Sequence, residues 1–226
     1  MAIEFNIFHL SVSLAMRHLS FIDKILTSAN DALTTVFTVA PDARKNPAED
    51  VVDLELSSDE KKESIGCMRV NHTGEVCAQA LYRGQLTFSH SKKTREMLEK
   101  SCDEETDHLA WTKERLNELN GKTSYLNCLF YFNSFLIGAI AGLAGDKWSL
   151  GFVEETEIQV AKHLQNHLEK LPIDDLKSRA IVEKMREEEM QHEKAAHVAG
   201  ACELPFVIKK IMQLQAKVMT VVTFYL

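Results

Sequence analysis

Apolar and polar residues follow one another along most of the chain with the period of an α-helix, and no segment of useful length has the two-residue period of a β-strand. Residues 41–58 break this pattern, because they contain two prolines and many polar residues, as linkers do. Beyond them the pattern predicts four long helices and a final apolar one. The predicted helices cover residues 20–37, 59–89 with a bend or an interruption near Gly74, 91–120, 147–170, 174–200 and 205–226.

Capping residues predict several of the helix ends. Ser91 is a candidate N-cap, because a serine hydroxyl accepts hydrogen bonds from first-turn backbone N–H groups, and Asp174 is another candidate. Gly121 is a candidate C-cap, since glycine readily adopts the left-handed conformation that ends many helices. Pro172 stops one helix and Pro205 opens the last one.

The first fifteen residues differ from the rest of the chain. They are apolar, but they lack the basic region with which a signal peptide begins, and Glu4 lies near their start. Translation from Met16 is therefore one hypothesis, and a frayed extension without functional consequence is the other. The whole chain, residues 1–226, is predicted to be a single domain with an extension at 1–15, a linker at 41–58, a core bundle at 59–200 and an apolar terminal helix at 205–226.

Two apolar segments raise the question of membrane contact. Residues 123–145 carry no charged side chain and are numerous enough to span a bilayer. Asn127, Asn133 and Ser134 interrupt the segment, and its glycines and alanines also suit close helix packing, so membrane contact and a buried bundle helix are equal alternatives. Residues 205–226 combine many apolar residues with three lysines, which is typical of an interfacial helix, and docking onto the core is the alternative.

Composition excludes several classes of protein. The 226 residues are 45% hydrophobic and 26% charged, as in a globular chain with a full core. A formal net charge of −7, without a long Lys/Arg block, argues against nucleic acid as the main partner. The five cysteines include no CxxC pair, which argues against a disulfide framework or a Cys-rich zinc site and favours a reducing compartment.

Two Glu-x-x-His pairs are the candidate chemistry. Glu105 with His108, and Glu189 with His192, each place a carboxylate and an imidazole on one helix face, because residues i and i+3 are neighbours there. Both side chains of a pair could therefore reach one metal ion.

Two lone glutamates lie level with these pairs. At 1.5 Å per residue, Glu75 and Glu105 are each about 20 Å from the turn that joins the first two long helices. Glu157 and Glu189 are placed in the same way about the turn of the second helical hairpin. Packing of the two hairpins therefore predicts four carboxylates and two imidazoles at one level of the core.

This side-chain set is that of the di-iron and di-manganese carboxylate bundles. Two divalent cations would cancel the charge of four buried carboxylates, and oxygen-rich ligands favour iron or manganese over a thiolate zinc site. Exposed charges on solvated helix faces are the alternative, which suits each residue alone but not the six together. A slip by one or two positions stays open, because four glutamates that we interpret as solvated neighbours crowd the same regions: Glu104, Glu154, Glu155 and Glu188.

A family pattern runs through all four long helices in order. Its stretches are RVNHTGEVCAQALYRGQ at 69–85, EETDHLAW at 104–111, GLAGDKWSLGFVEETEIQVAKHLQNHL at 142–168 and EEEMQHEKA at 187–195. With these stretches the chain resembles the demethoxyubiquinone hydroxylases, most closely the bacterial branch, over about residues 16–226. The resemblance implies a ferritin-like four-helix bundle with extra hydrophobic helices and two iron ions per subunit. The implied ligands are Glu75, Glu105, His108, Glu157, Glu189 and His192, with Glu105 and Glu189 bridging the irons.

The same resemblance implies an activity and a location. Members of that family are di-iron monooxygenases that use O2 to hydroxylate the ring of a polyprenyl demethoxyquinol in ubiquinone biosynthesis. Such a substrate lies in a bilayer, so the resemblance implies a peripheral protein on the cytoplasmic face of the bacterial inner membrane, seated by residues 123–145 and 205–226. Other ubiquinone-biosynthesis proteins and a second copy of the chain are further candidate partners, and nucleic acid is not expected.

Three further residues are weaker candidates. His163, six residues after Glu157, falls at the position of a family histidine, which implies a proton-relay or ligand-supporting role at the quinol pocket. Tyr82, two turns after Glu75, is a candidate for lining a substrate channel, although core packing is favoured. His163 and His167 form an HxxxH pair that could bind zinc on a helix, but no third ligand lies near them in the sequence.

Other functions compete with the hydroxylase. The same site could act on tRNA or on fatty acyl chains, although the acidic composition disfavours tRNA. An iron-storage protein of the ferritin type needs a soluble cage-forming surface, which the apolar segments do not suit. A metal-free, membrane-associated helical protein would leave the matched heights of the candidate ligands unexplained.

Overall fold

The computed structural model describes residues 21–38 and 44–226 of the chain. Most of these residues are helical, so the predicted all-α class is confirmed. The extension at 1–15 and Met16 lie outside the described residues. Within the described ranges the helices are α1 (Phe21–Phe37), α2 (Ser58–Phe88), α3 (Lys92–Glu118), α4 (Asn127–Leu143), α5 (Asp146–Lys170), α6 (Leu176–Ala199) and α7 (Phe206–Tyr225).

Capping fixes the starts of α2 and α3. The hydroxyl of Ser57 accepts a hydrogen bond from the backbone N–H of Glu60 at 3.4 Å, and the Glu60 carboxylate accepts one from the N–H of Ser57 at 2.9 Å. Ser91 is the N-cap of α3, as predicted, and accepts from the N–H of Thr94. Helix α2 runs through Gly74, so the expected interruption there is wrong, while the alternative of a bend stays a prediction. Packing of α2 on several neighbours overrides the low helix propensity of one glycine.

The end of α3 differs from the prediction. Leu119 is the C-cap and Asn120, with φ at 55°, is the left-handed residue, so the prediction that Gly121 caps the helix is wrong. Asparagine visits this conformation more easily than most residues. Gly121 comes one position later, where its N–H donates to the carbonyl of Leu116 at 2.7 Å and where Ile65 leaves no room for a side chain.

The N-cap of α6 is Asp175, not the predicted Asp174. The Asp175 carboxylate accepts hydrogen bonds from the backbone N–H of Ser178 at 3.1 Å and from the guanidinium of Arg115 on α3 at 2.8 Å. Asp175 and Arg115 are each only 1% exposed. This buried ion pair between two helices therefore decides which of the two aspartates caps α6.

Four of the helices form a bundle in which α2 packs against α3, α3 against α6, α6 against α5, and α5 against α2. Two apolar clusters fill the bundle. The first includes Met68, Trp111 and Ile181, and the second includes Tyr82 and Val153. Along each helix the predicted ligands lie between these clusters, so a polar level is enclosed by apolar packing on both sides.

Helix α4 lies against the outside of α2. The two backbones approach closely, because a Cβ on Gly138 would overlap the carbonyl oxygen of Leu81 and one on Gly84 would overlap that of Phe135. Only this face of α4 is buried. Residues 123–145 therefore pack on the bundle, as one of the two alternatives predicts, but along one side of the helix only. The opposite face exposes Leu129, Phe132, Leu136, Ile140 and Leu143.

Helix α7 is attached chiefly at its C-terminal end. The ring of Phe224 occupies the space beside Gly66 of α2, and its carbonyl accepts a hydrogen bond from Arg69 Nη1 at 2.8 Å. Across residues 21–38 and 44–226, no helix combines the length and the apolar character needed to cross a membrane. The exposed apolar residues of α7 are Phe206, Val207, Ile211, Leu214, Val218, Val221 and Tyr225.

Residues 44–57, called the strap below, belong to the predicted linker but pack on the bundle. Ala48 is 3% exposed and joins the first apolar cluster. Asn46 donates a hydrogen bond to Glu114 of α3 at 2.5 Å, and Asp53 pairs with Arg115 at 3.2 Å. The strap is therefore a fixed part of the α3 and α6 side of the bundle.

Candidate metal centre

The six predicted ligands meet at the polar level of the bundle, and all of them are buried. Their ligand atoms form two groups, and within each group all atoms lie within 4.8 Å of one another. Two glutamates, Glu105 and Glu189, belong to both groups, as bridging ligands would. The first group is Glu75, Glu105, His108 and Glu189, and the second is Glu105, Glu157, Glu189 and His192.

Both imidazoles present Nδ1 to the carboxylates. His108 Nδ1 lies 3.1 Å from Glu105, 3.3 Å from Glu189 and 3.7 Å from Glu75. His192 Nδ1 lies 3.1 Å from Glu189 and 3.4 Å from Glu105. A metal ion bound among these carboxylates would therefore take Nδ1 and leave Nε2 to carry the proton.

Each Nε2 is held by a glutamate from the opposite motif. His108 Nε2 is 2.7 Å from Glu188, and His192 Nε2 is 2.6 Å from Glu104. The interpretation of Glu188 and Glu104 as solvated neighbours is wrong, because the side chain of Glu188 is 9% exposed and that of Glu104 is 25% exposed. Carboxylates in this position orient a ligating histidine and raise its basicity.

Glu155 is a further correction. It was expected to be solvated, but it is 6% exposed, and it accepts a hydrogen bond from Gln159 at 2.7 Å and pairs with Lys209 of α7 at 3.4 Å. Glu154 is half-buried and lies 2.9 Å from Nδ1 of His197. Both side chains serve contacts among α5, α6 and α7 and take no part in either ligand group.

Without a cation, burial and mutual proximity shift the pKa values of several groups in the cluster. Burial, together with the charge of Glu105, raises the pKa of Glu75 well above its usual value, and burial with the charge of Glu189 does the same to the pKa of Glu157. Burial alone would lower the pKa of His108, but Glu105 and the other nearby carboxylates outweigh it and raise that pKa well above its usual value. Raised pKa values favour the protonated forms, so bound cations would displace protons.

The donor set fits a hard divalent metal ion. Four carboxylates and two imidazoles provide mostly oxygen ligands, which suit iron or manganese. Glu157 Oε1 is buried, and no hydrogen-bond donor reaches it within the described part of the chain. A buried carboxylate oxygen without a donor is costly, and a cation in the second ligand group would satisfy it.

The weaker candidates lie beside the cluster rather than in it. The rings of His163 and His167 are 4.0 Å apart, and His167 Nδ1 lies 2.7 Å from Asn71 Oδ1 on α2. Burial lowers the pKa of His163 to about 4, so it is neutral at pH 7. Tyr82 is fully buried in the second apolar cluster. The relay role of His163 and the channel role of Tyr82 stay predictions.

A helical bundle with two lone glutamates and two Glu-x-x-His motifs directed at one buried level defines the ferritin-like carboxylate proteins. Residues 62–223 match the family model described as "Ubiquinone biosynthesis protein COQ7". The chain belongs to this family, so the predicted membership and the ferritin-like fold are confirmed.

Curated relatives share most of the chain. A 3-demethoxyubiquinol 3-hydroxylase of Coxiella burnetii (strain RSA 331 / Henzerling II) is 53% identical over 210 residues, which cover 93% of this chain and 98% of that protein. The protein of the same name from Chromobacterium violaceum is 50% identical over 199 residues, covering 88% and 97%. That from Legionella pneumophila (strain Paris) is 49% identical over 215 residues, covering 93% and 100%.

Proposed function

We propose that this chain is a 3-demethoxyubiquinol 3-hydroxylase, a monooxygenase that uses O2 to hydroxylate the ring of a polyprenyl demethoxyquinol in ubiquinone biosynthesis. Two observations together carry the proposal. The chain is 53% identical to a protein of that name along 93% of its length. It also gathers buried carboxylates and imidazoles of the type that bind paired metal ions in helical bundles, which gives the activity a location.

Two iron ions per chain complete the proposed site. Iron is the metal of choice because hydroxylation requires the reduction of O2, and oxygen-rich ligand sets with histidine suit iron. The two overlapping ligand groups support two adjacent ions. In this assignment Glu75 and His108 would hold the first ion, Glu157 and His192 would hold the second, and Glu105 and Glu189 would be shared between the two.

Bound iron would supply the reduction and activation of O2. The chain itself holds the ligands and keeps water away from them. Glu188 and Glu104 fix the orientation of the two imidazoles by accepting from Nε2. The apolar clusters on either side of the polar level restrict entry of solvent, which protects the reaction from competing hydrolysis and proton leakage.

The substrate is apolar, and the proposal places the protein peripherally on a membrane surface, on the cytoplasmic face that the family resemblance implies. Helices α4 and α7 support this, because each exposes a row of large apolar side chains. Lys209, Lys210 and Lys217 accompany the row on α7, as on helices that bind anionic lipid surfaces. Quinol held in the bilayer would then meet the bundle at this surface.

The activity is tested by the lipid-quinone profile of a strain that lacks the gene, measured by mass spectrometry. We expect ubiquinone to fall and a quinone one methoxy group lighter to accumulate. The wild-type chain and the Glu187→Ala variant, which changes an exposed neighbour of the second motif, should restore ubiquinone, whereas Glu75→Ala should not. A normal ubiquinone content in a strain with no second hydroxylase would overturn the proposed substrate.

Membrane attachment is tested by co-sedimentation with vesicles of anionic phospholipid. Leu214→Glu adds a charge to the exposed apolar row of α7, whereas Gln213→Glu adds the same charge at a neighbouring exposed polar position. We expect the wild type and Gln213→Glu to sediment with the vesicles and Leu214→Glu to lose most of this binding. Equal binding of the two variants would mean that the exposed apolar row of α7 does not contact the membrane.

A further inference from the structure

The two Glu-x-x-His motifs are related as near copies. EETDH at 104–108 aligns with EEMQH at 188–192. The first glutamate of each motif contacts Nε2 of the histidine in the other motif. A lysine four residues earlier supports each of these glutamates. Lys100 lies 3.2 Å from Glu104, and Lys184 lies 3.0 Å from Glu188.

Arg44 of the strap interrupts this symmetry. Its Nη1 donates to Glu188 at 2.6 Å, its Nε donates to Asp107, and its guanidinium lies 5.1 Å from the centre of the Trp111 ring. The ring of Trp111 is in turn 5.5 Å from that of His108. Arg44 therefore contacts the carboxylates of Glu188 and Asp107, whereas its contact with Glu104, at 3.4 Å from Nη2, is to the backbone carbonyl.

The second motif has no counterpart of the aspartate and the tryptophan that Arg44 contacts. The positions that correspond to Asp107 and Trp111 are Gln191 and Ala195, and both are exposed. Within residues 21–38 and 44–226, the cation that pairs with the Glu104 side chain, apart from His192, is Lys100, which is itself 76% exposed.

Burial follows the same division. The side chain of Glu188 is 9% exposed against 25% for Glu104, and the ring of His108 is fully buried against 6% exposure for His192. A charged hydrogen bond in a buried setting is less screened by solvent and salt than the same bond near the surface. The hydrogen bond to His108 Nε2 is thus better shielded from solvent than the one to His192 Nε2.

We propose that Arg44 is a positioning residue that makes the two metal positions unequal, so that the ion served by Glu75 and His108 is retained longer than the ion served by Glu157 and His192. The reason is geometric. A ligating histidine with a fixed outer partner is already oriented for its metal, whereas one with a loosely held partner must be ordered on binding. This inference rests on the metal centre that the proposed function assigns.

The test follows withdrawal of Fe(II) by the chelator ferrozine under anaerobic conditions, with absorbance as the readout. The wild type, loaded with two ions per chain, should release iron in a fast and a slow phase of equal size. Glu75→Ala should abolish the slow phase and Glu157→Ala the fast one. Arg44→Met should accelerate the slow phase about tenfold, the lower end of the effect of an outer partner on metal affinity.

Matched variants separate positioning from loss of fold. Lys100→Met removes the cation beside Glu104 and should leave the slow phase unchanged. Arg44→Lys keeps the charge but not the forked contact with Glu188 and Asp107, so its slow phase should fall between those of the wild type and Arg44→Met. In each Arg44 variant the fast phase of the same sample is the internal reference for the slow phase. General unfolding would accelerate both phases.

Three results would overturn the inference. Single-phase release from the wild type would mean that the two positions are equal. A slow phase that Arg44→Met leaves unchanged would mean that Arg44 does not position His108, and acceleration of both phases would mean that Arg44 serves the fold as a whole and not one metal position. Failure of the wild type to take up iron would overturn the proposed metal centre as well, whereas two bound ions with equal release rates would overturn this inference alone.

Discussion

Glu188 and Glu189 are consecutive residues with different tasks. They point about 100° apart around α6, so Glu189 faces the polar level while Glu188 reaches His108 on α3. Glu104 and Glu105 divide the same tasks on α3. In each motif, a shift of one residue along the helix therefore separates the candidate metal ligand from the glutamate that contacts a histidine of the other motif.

The two shared glutamates should matter more for metal content than the unshared ones. Glu105 contributes to both ligand groups, whereas Glu75 contributes to one. We expect Glu75→Ala to bind about one ion per chain, because the second ligand group stays complete in this variant. We expect Glu105→Ala to bind less than one, because both ligand groups lose a carboxylate. Elemental analysis of purified protein gives these ratios, with Glu187→Ala as the two-ion control.

A Glu105→Ala variant that keeps two ions per chain would show that Glu105 does not bridge them. The ligand set would then require a different pair of shared oxygens.

Metal uptake should release protons and strengthen as pH rises. In the metal-free protein the pKa values of Glu75, Glu157, His108 and His192 are all raised, which favours their protonated forms, and a metal ion that binds these groups must displace the protons they hold. Calorimetric titration with Mn(II) at one pH, in two buffers of different ionisation heat, counts these protons. Identical heats in both buffers would contradict the expected displacement.

The sequence was sufficient to predict which six side chains meet at the polar level, and insufficient to predict the carboxylates that contact the two imidazoles. Glu75 and Glu105 could be placed at one height because helix rise is constant. The partner of His108 could not be predicted, because the Glu188 side chain points toward α3 and only the packing of two helices 80 residues apart brings it to Nε2. The contacts of Arg44 were still harder to predict from the sequence, since it lies in a segment whose composition indicates a linker.

At the scale of elements, α2 is the helix on which the others depend. It contacts α3, α4, α5 and α7, and small residues permit two of these contacts. Helix lengths were predictable because periodicity and prolines mark them. The left-handed residue after α3, Asn120, and the N-cap of α6, Asp175, were each missed by one position. For α6 the reason is tertiary, because the ion pair with Arg115 decides between two adjacent aspartates.

The close contact of α2 and α4 should tolerate no side chain. Gly138→Ala would press a methyl group into the backbone of α2 and should lower the free energy of unfolding by about 1–3 kcal/mol. Gly74→Ala is the matched control within α2, because nothing lies within 4 Å of the added Cβ. It should raise that free energy by about 0.5–1 kcal/mol through helix propensity. Urea denaturation of both variants compares them directly.

Equal effects of the two alanine substitutions would mean that α4 can move away from α2 at no cost. Helix α4, with its exposed apolar face, would then be free to shift relative to the bundle.

At the scale of the whole molecule, burial of four carboxyl groups at the centre of the bundle costs free energy that bound cations would offset. Metal binding to the folded state alone should therefore raise the melting temperature. At a metal concentration 100 times the dissociation constant the gain is about 2.7 kcal/mol, or about 5–10 °C for a chain of this size. Differential scanning calorimetry with and without Mn(II) measures it, and an unchanged melting temperature would argue against a preformed site.

The exchange of partners between the two motifs has a consequence for the order of folding. Each hairpin, α2 with α3 and α5 with α6, carries a histidine whose outer carboxylate is on the other hairpin, 80 or more residues away in the chain. Contacts of such long sequence separation form late, because the intervening chain must first be ordered. We therefore expect metal acquisition to be the last event in maturation, and a ribosome-bound or half-docked chain to acquire no metal.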